Sequence, residues 1–260
     1  MTAPSSWEAL LATPSACDHV VQLYTDDGFL ARAVVQFVGS GFAEGAAALL
    51  IATPAHIALF TDRLPDARAA MVRGQLVVLD AKTCLETFML DGMPDRALFV
   101  EVITGVLARV RASGYSKIRL YGAMVNLLWE ADELDAALRL EELWNDLLAE
   151  ERLPLLCAYR IDNFDRYAHR SALTPITRTH SHVIPLEDYE RFDRAVERAY
   201  TDVFGPEGDA PLLRDLLVTT LGPTSVMPRA QAALLALRDV NDHTADAVLD
   251  RAKLHYSTGD

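Results

Sequence analysis

The stretch from Lys117 to Arg160, KIRLYGAMVNLLWEADELDAALRLEELWNDLLAEERLPLLCAYR, reads as a strand, a loop carrying Trp129, a long helix and a second strand. That order is one β-α-β unit, and it commits the chain to parallel pairing, because two parallel strands need a crossover between them. Both strand segments, KIRLYGA and LPLLCAYR, are apolar at successive positions, the pattern of strands covered on both faces. The helix between them places Leu134, Leu138, Leu140, Leu143, Trp144, Leu147 and Leu148 on one broad stripe, with Asp135, Arg139, Glu142, Asn145 and Asp146 mainly on the other side. Tyr121, Met124, Trp129 and Tyr159 then fall near the carboxyl ends of two strands, where open α/β sheets bind ligands.

Other segments repeat the alternation. HVVQLY (19–24), AAALLIAT (46–53) and QLVVLD, ending at Asp80, read as strands, each followed by a helical pattern. HSHVIP, His180 to Pro185, is expected to be the last strand. From about Gly205 the pattern changes to three helices, PLLRDLLVTTL, RAQAALLALRDV and ADAVLDRAKLHY, with no further strand. The expected architecture is a three-layer α/β fold with a mainly parallel sheet and an all-helical C-terminal extension. The expected division is a leader over 1–16, an α/β domain over 17–204 and the extension over 205–260.

Several function classes are disfavoured. A formal net charge of −13 argues against a broad nucleic-acid surface, which needs clustered Lys and Arg. No apolar run is long enough to span a bilayer and the N-terminus lacks a basic leader, so a cytoplasmic location is expected. Cys17, Cys84 and Cys157 are scattered, which indicates neither a zinc knuckle nor a disulfide framework, and Cys157 reads as a small core residue. After the first strand, TDDGFLAR stands where a phosphate loop would need glycines and a lysine. ATP hydrolysis is therefore not expected, and Asp80 reads as a helix cap. His180 and His182 could share a metal if a third ligand joined them, and none is visible in the sequence; His19 reads as a structural histidine. No catalytic constellation emerges, so no enzyme activity, cofactor or metal is expected.

What remains is a set of aromatic and apolar residues at strand ends with a few polar groups. Tyr24, Asp26, Thr53, Tyr121, Met124, Trp129, Tyr159 and His180 are the candidate ligand-binding residues, with Arg160 as a further polar contact. The mixture suits a small organic ligand.

At these residues the chain resembles a known family. HVVQLYTDDGFL, GFAEGAAALLIATPAH, YGAMVNLLW, RLEELWNDLL, LLCAYR and HSHVIP follow one another as in the MEDS domain, the methanogen/methylotroph DcmR-type sensory domain, over about Cys17 to Tyr189. The resemblance implies a RecA/KaiC-like layout without a working phosphate loop and a role in sensing small molecules. It also shows a departure: Ala123 stands where the family commonly has Glu, in Y-G-E-M. The reading that follows is a sensory or regulatory protein that binds a small organic ligand and signals to a protein partner, or to a second copy of itself, through its C-terminal helices. Two alternatives stand beside it. One is a ligand-free adaptor for a histidine kinase or sigma-factor system, which Ala123 favours; the other, weaker, is a metal- or nucleotide-dependent enzyme using His180, His182 and Asp80.

Overall fold

A computed structural model of the chain describes residues 7–205, 210–222 and 227–258. It divides into two compact units, Met1–Arg160 and Ile161–Asp260.

The first unit begins with α1 (Trp7–Ala12), β1 (His19–Tyr24), α2 (Asp27–Ala43), β2 (Ala47–Ala52), α3 (Pro54–Arg63), α4 (Ala67–Val72) and β3 (Leu76–Asp80). It continues with α5 (Ala81–Glu86), a short antiparallel hairpin of β4 (Met89–Leu90) and β5 (Met93–Pro94), α6 (Arg96–Ala112), β6 (Ile118–Gly122), α7 (Met124–Glu130), α8 (Leu134–Glu151) and β7 (Leu155–Arg160). Within this unit the main-sheet strands run β3-β2-β6-β7-β1, and every neighbouring pair is parallel. All their carboxyl ends therefore lie along one edge.

The helices start where the sequence supplies caps. Asp26 accepts from the Phe29 amide at 2.7 Å, Thr53 from the His56 amide at 3.3 Å and Asp80 from the Thr83 amide at 2.7 Å. The segment expected as a loop after β6 is instead α7. Its Met124, Val125 and Leu128 are buried at helical spacing, so the short helix has an apolar face to pack. On helix α8 Leu140, Leu143, Trp144, Leu147 and Leu148 are buried as expected and Leu134 and Leu138 partly so, but Glu141 is buried as well and Asn145, expected on the other side, is half buried and turned towards His19 of β1.

Register fixes which strand residues share a face. His19 pairs with Leu155 and Val21 with Cys157, so His19, Cys157 and Tyr159 project to one side of the sheet, the side that meets α8. Gln22 pairs with Ala158, and Tyr121 with Leu156, so Gln22, Tyr24 and Tyr121 project to the other side, towards α2 and α3. Arg119 of β6 is on that second side. Its guanidinium, 5% exposed, donates to Leu11 O at 3.0 Å, Phe37 O at 2.7 Å and Ala12 O at 2.9 Å, and pairs with Glu44 at 3.0 Å. It passes the place where Gly41 has no side chain; a Cβ there would lie 2.7 Å from Arg119 Cδ.

The second unit contains α9 (Arg166–Ser171), α10 (Leu173–Arg178), β8 (His182–Ile184), α11 (Tyr189–Phe204), α12 (Ala210–Leu221), α13 (Arg229–Val240) and α14 (Asp242–Thr258). Its core joins Phe192, Val196, Ala199 and Tyr200 of α11 to Ala233, Leu234 and Leu237 of α13 and Val248, Leu249 and Ala252 of α14. The core of this unit thus runs across the 204/205 position at which composition changes. Arg238 on α13 binds Asp246 at 2.6 Å and Asp242 at 3.0 Å, and Arg170 on α9 also pairs with Asp246. Among the described residues no helix is long and apolar enough to cross a membrane.

Candidate functional site

The carboxyl edge of the sheet carries most of the residues singled out from the sequence. β1 ends in Tyr24 and β7 in Arg160, adjacent in register, and the Arg160 guanidinium lies 4.9 Å from the Tyr24 ring centroid. Arg160 also pairs with Asp27 and, at 3.7 Å, with Glu130. From α7, Asn126 Oδ1 accepts from the Arg160 amide at 2.7 Å and Trp129 Nε1 donates to the Arg160 carbonyl at 3.2 Å. Burial pushes the Tyr24 phenol up to about 12, although Arg160 pulls the other way.

Beside this group runs a line of rings on the α2/α3 side. The Tyr24 and His56 centroids are 6.2 Å apart, His56 stacks on Phe60 at 5.4 Å, and Phe60 meets Tyr121 edge-on at 5.3 Å. On this same side of the sheet are polar atoms buried without hydrogen-bond partners among the described residues. These are the Tyr121 hydroxyl, both side-chain atoms of Gln22, and His56 Nδ1. His56 Nε2, in contrast, meets Asp27 at 3.3 Å. Buried polar groups are nearly always paired, so a grouping of this kind calls for a further polar partner. Burial is also the main reason the Tyr121 hydroxyl stays protonated to well above the ordinary phenol range.

The sheet separates the remaining candidates. Met124 is fully buried in α7, and Asp26 and Thr53 use their side chains as helix caps. Tyr159 lies on the α8 side and donates to Glu141 Oε1 at 2.7 Å. His180 belongs to the second unit, buried, with Nδ1 2.6 Å from the Ile176 carbonyl and 3.0 Å from Thr179 Oγ1. Gln22, His56 and Phe60 were not singled out from the sequence. Gln22 is open to notice in the sequence, as the one polar residue between His19 and Tyr24.

A second polar group is buried on the α8 side. His19 Nε2 is 3.2 Å from Glu141 Oε2 and 3.2 Å from Cys157 Sγ, and Cys157 Sγ is 3.6 Å from Glu141 Oε2. His19 Nδ1 is 2.8 Å from Asn145 Oδ1. Glu141 and Asn145 are one helical turn apart and so reach the sheet side by side. Burial first, and then Glu141, raise both the Cys157 thiol and the Tyr159 phenol well above their ordinary ranges.

A depression of about 300 Å³ opens at the opposite, amino-terminal edge of the sheet, bordered by Glu44, Lys117, Arg119, Glu151 and Arg152. Its Arg119 is held as described above, and Glu151 binds Arg111 at 2.6 Å. It has no buried polar group without a partner to set against those at the carboxyl edge.

A parallel sheet whose first strand runs into a capping aspartate, with an aromatic and polar cluster at its carboxyl edge, defines an α/β domain built around strand-end side chains rather than a phosphate-cradling loop. The chain belongs to the MEDS family, described as MEthanogen/methylotroph, DcmR Sensory domain, which matches residues 18–181, more than half of its length. The family is one of sensory domains, and a sensory or regulatory role follows. No curated protein matches the chain.

Proposed function

We propose that the protein senses a small, neutral organic molecule bearing hydrogen-bonding groups, bound at the carboxyl edge of the sheet between β1, β6 and α3. The observation that carries this reading is the set of buried polar atoms without partners among the described residues, on Gln22, Tyr121 and His56, on the side of the sheet that carries the rings of Tyr24 and Phe60. The carboxamide offers a donor and an acceptor and the phenol a donor, while the rings supply apolar walls. Such a site suits a short-chain alcohol, ketone or amide. A phosphorylated ligand is disfavoured by Asp26 and Asp27 at the end of β1, and the reading includes no catalytic step.

Gln22→Leu and Tyr121→Phe test this directly, because each removes polar atoms while keeping approximate shape. In a thermal-shift panel of short-chain alcohols, ketones and amides, the parent should be stabilised by at least one member, since a ligand that binds only the folded state raises its stability. Both variants should lose that response while melting no lower than the parent without ligand, because the groups removed were unpaired. Variants that respond like the parent would remove the site from consideration.

The output is proposed to pass through the second unit to a protein partner or a second copy. Leu212 and Leu216 lie one turn apart on α12, 63% and 56% exposed, where a partner surface would cover them. Self-association that is unchanged by Leu212→Ser/Leu216→Ser would count against that surface.

A further inference from the structure

We propose that His19, Glu141 and Cys157 form a binding site for a divalent transition-metal ion of the zinc class. Each residue presents one donor atom, and the three atoms lie within 4.8 Å of one another in the interior of the first unit. Imidazole nitrogen, thiolate sulfur and carboxylate oxygen are the donor types that tetrahedral zinc uses.

The spacings fit such an ion. Zinc bonds of about 2.0–2.1 Å to nitrogen and oxygen and about 2.3 Å to sulfur, at tetrahedral angles, set the donors about 3.3 Å apart for N and O and about 3.6 Å apart where sulfur is one partner. The observed separations are 3.2 Å for His19 Nε2 to Glu141 Oε2, 3.2 Å for His19 Nε2 to Cys157 Sγ, and 3.6 Å for Cys157 Sγ to Glu141 Oε2. An ion would therefore enter with shifts of a few tenths of an ångström.

The surroundings supply the outer contacts such sites require. Asn145 Oδ1, 2.8 Å from His19 Nδ1, can accept its proton, which leaves the Nε2 lone pair directed at the other two donors. Tyr159 donates to the far oxygen of Glu141 at 2.7 Å and holds the carboxylate in place. Charge points the same way. Once the Cys157 proton is displaced, thiolate and carboxylate together carry two negative charges, which a divalent cation neutralises. Binding displaces the Cys157 proton to solvent, one proton per ion, with no change in oxidation state.

The full-length chain is refolded with one equivalent of Co(II) or Zn(II) per chain. Expected are one tightly held ion per chain, a near-ultraviolet thiolate-to-cobalt charge-transfer band, and loss of that band on adding Zn(II). Cys157→Ala should abolish the band, Cys84→Ala should retain it, and Asn145→Leu should weaken affinity about 10–100-fold. Failure of the parent to retain either ion would overturn the proposal and leave a cluster held together by protons alone. A charge-transfer band that persists in Cys157→Ala would overturn it too. If Cys157→Ala does not fold, the parent decides alone, because cobalt bound without the sulfur band rules out the site.

Discussion

The same pair of strands, β1 and β7, carries two polar groups of opposite character. At the strand ends Arg160 is held by Asp27 and Glu130, with side chains 40%, 49% and 46% exposed. Farther along the pair, His19 and Glu141 meet at 2% and 0% exposure, together with Cys157 and Tyr159. The first group is solvated, so its charges are screened and its members exchange one another for water at small cost. In the second, each member depends on the others, because the loss of one leaves a desolvated partner. Polar residues on one ladder are thus adaptable in one place and obligatory in the other, and depth below the surface makes the difference.

The largest effect should come from breaking the inner group. Glu141→Ala leaves His19 and the Tyr159 hydroxyl without their carboxylate and should cost roughly 3–5 kcal/mol in urea unfolding of the full chain. A loss below about 1 kcal/mol would mean that the group is hydrated and the contrast false.

The second unit supplies a buried imidazole paired with a carbonyl rather than a carboxylate. His169 Nε2 meets Asn163 O at 2.8 Å, and burial lowers its pKa to about 4. The folded state holds this ring neutral while the unfolded chain titrates near 6.5, so the unfolded state binds more protons between those values. The stabilisation is complete above about pH 6.5 and declines as pH falls towards 4, by roughly 3 kcal/mol across the window. Unfolding free energies at several pH values should show that slope, and His169→Gln should flatten it.

Tyr159→Phe removes one hydrogen bond from the inner group and should cost about 1–3 kcal/mol, measured by the same denaturation. Asp27→Ala, in the outer group, should cost less than about 1 kcal/mol and show little remaining effect at high salt. An outer loss as large as the inner one would erase the distinction.

The parts of this organisation that depend on local pattern were readable from the chain. Apolar runs gave the strands, and Asp26, Thr53 and Asp80 stand where capping chemistry predicts. Side-chain direction was not readable, because it depends on register between strands distant in sequence. Tyr121 and Tyr159 both fall near strand ends, yet one faces α3 and the other α8. Glu141 was hidden for a related reason. It lies next to Glu142 inside a leucine-rich helix, and only packing against β7 shows which of the two acids is interior. Cys157 reads as buried from its apolar neighbours, and it is, but its polar company comes from a helix and a strand that the linear pattern does not bring together. The packing of α11 was not readable either, since its apolar face meets α13 and α14 only once these segments fold together.

Arg119 gives the first unit a mechanical property. One guanidinium, carried by β6, grips the last carbonyls of α1 and the final turns of α2, and the bare backbone at Gly41 leaves it the passage. Three segments, the outermost 108 positions of chain apart, are thereby fastened like leaves on a single rivet. Trimming the leader as far as β1 would strip that rivet of two acceptors, and a methyl group at position 41 would drive it from its hole. Helix α1, Trp7–Ala12, therefore belongs to the working body of the sheet rather than to its packaging.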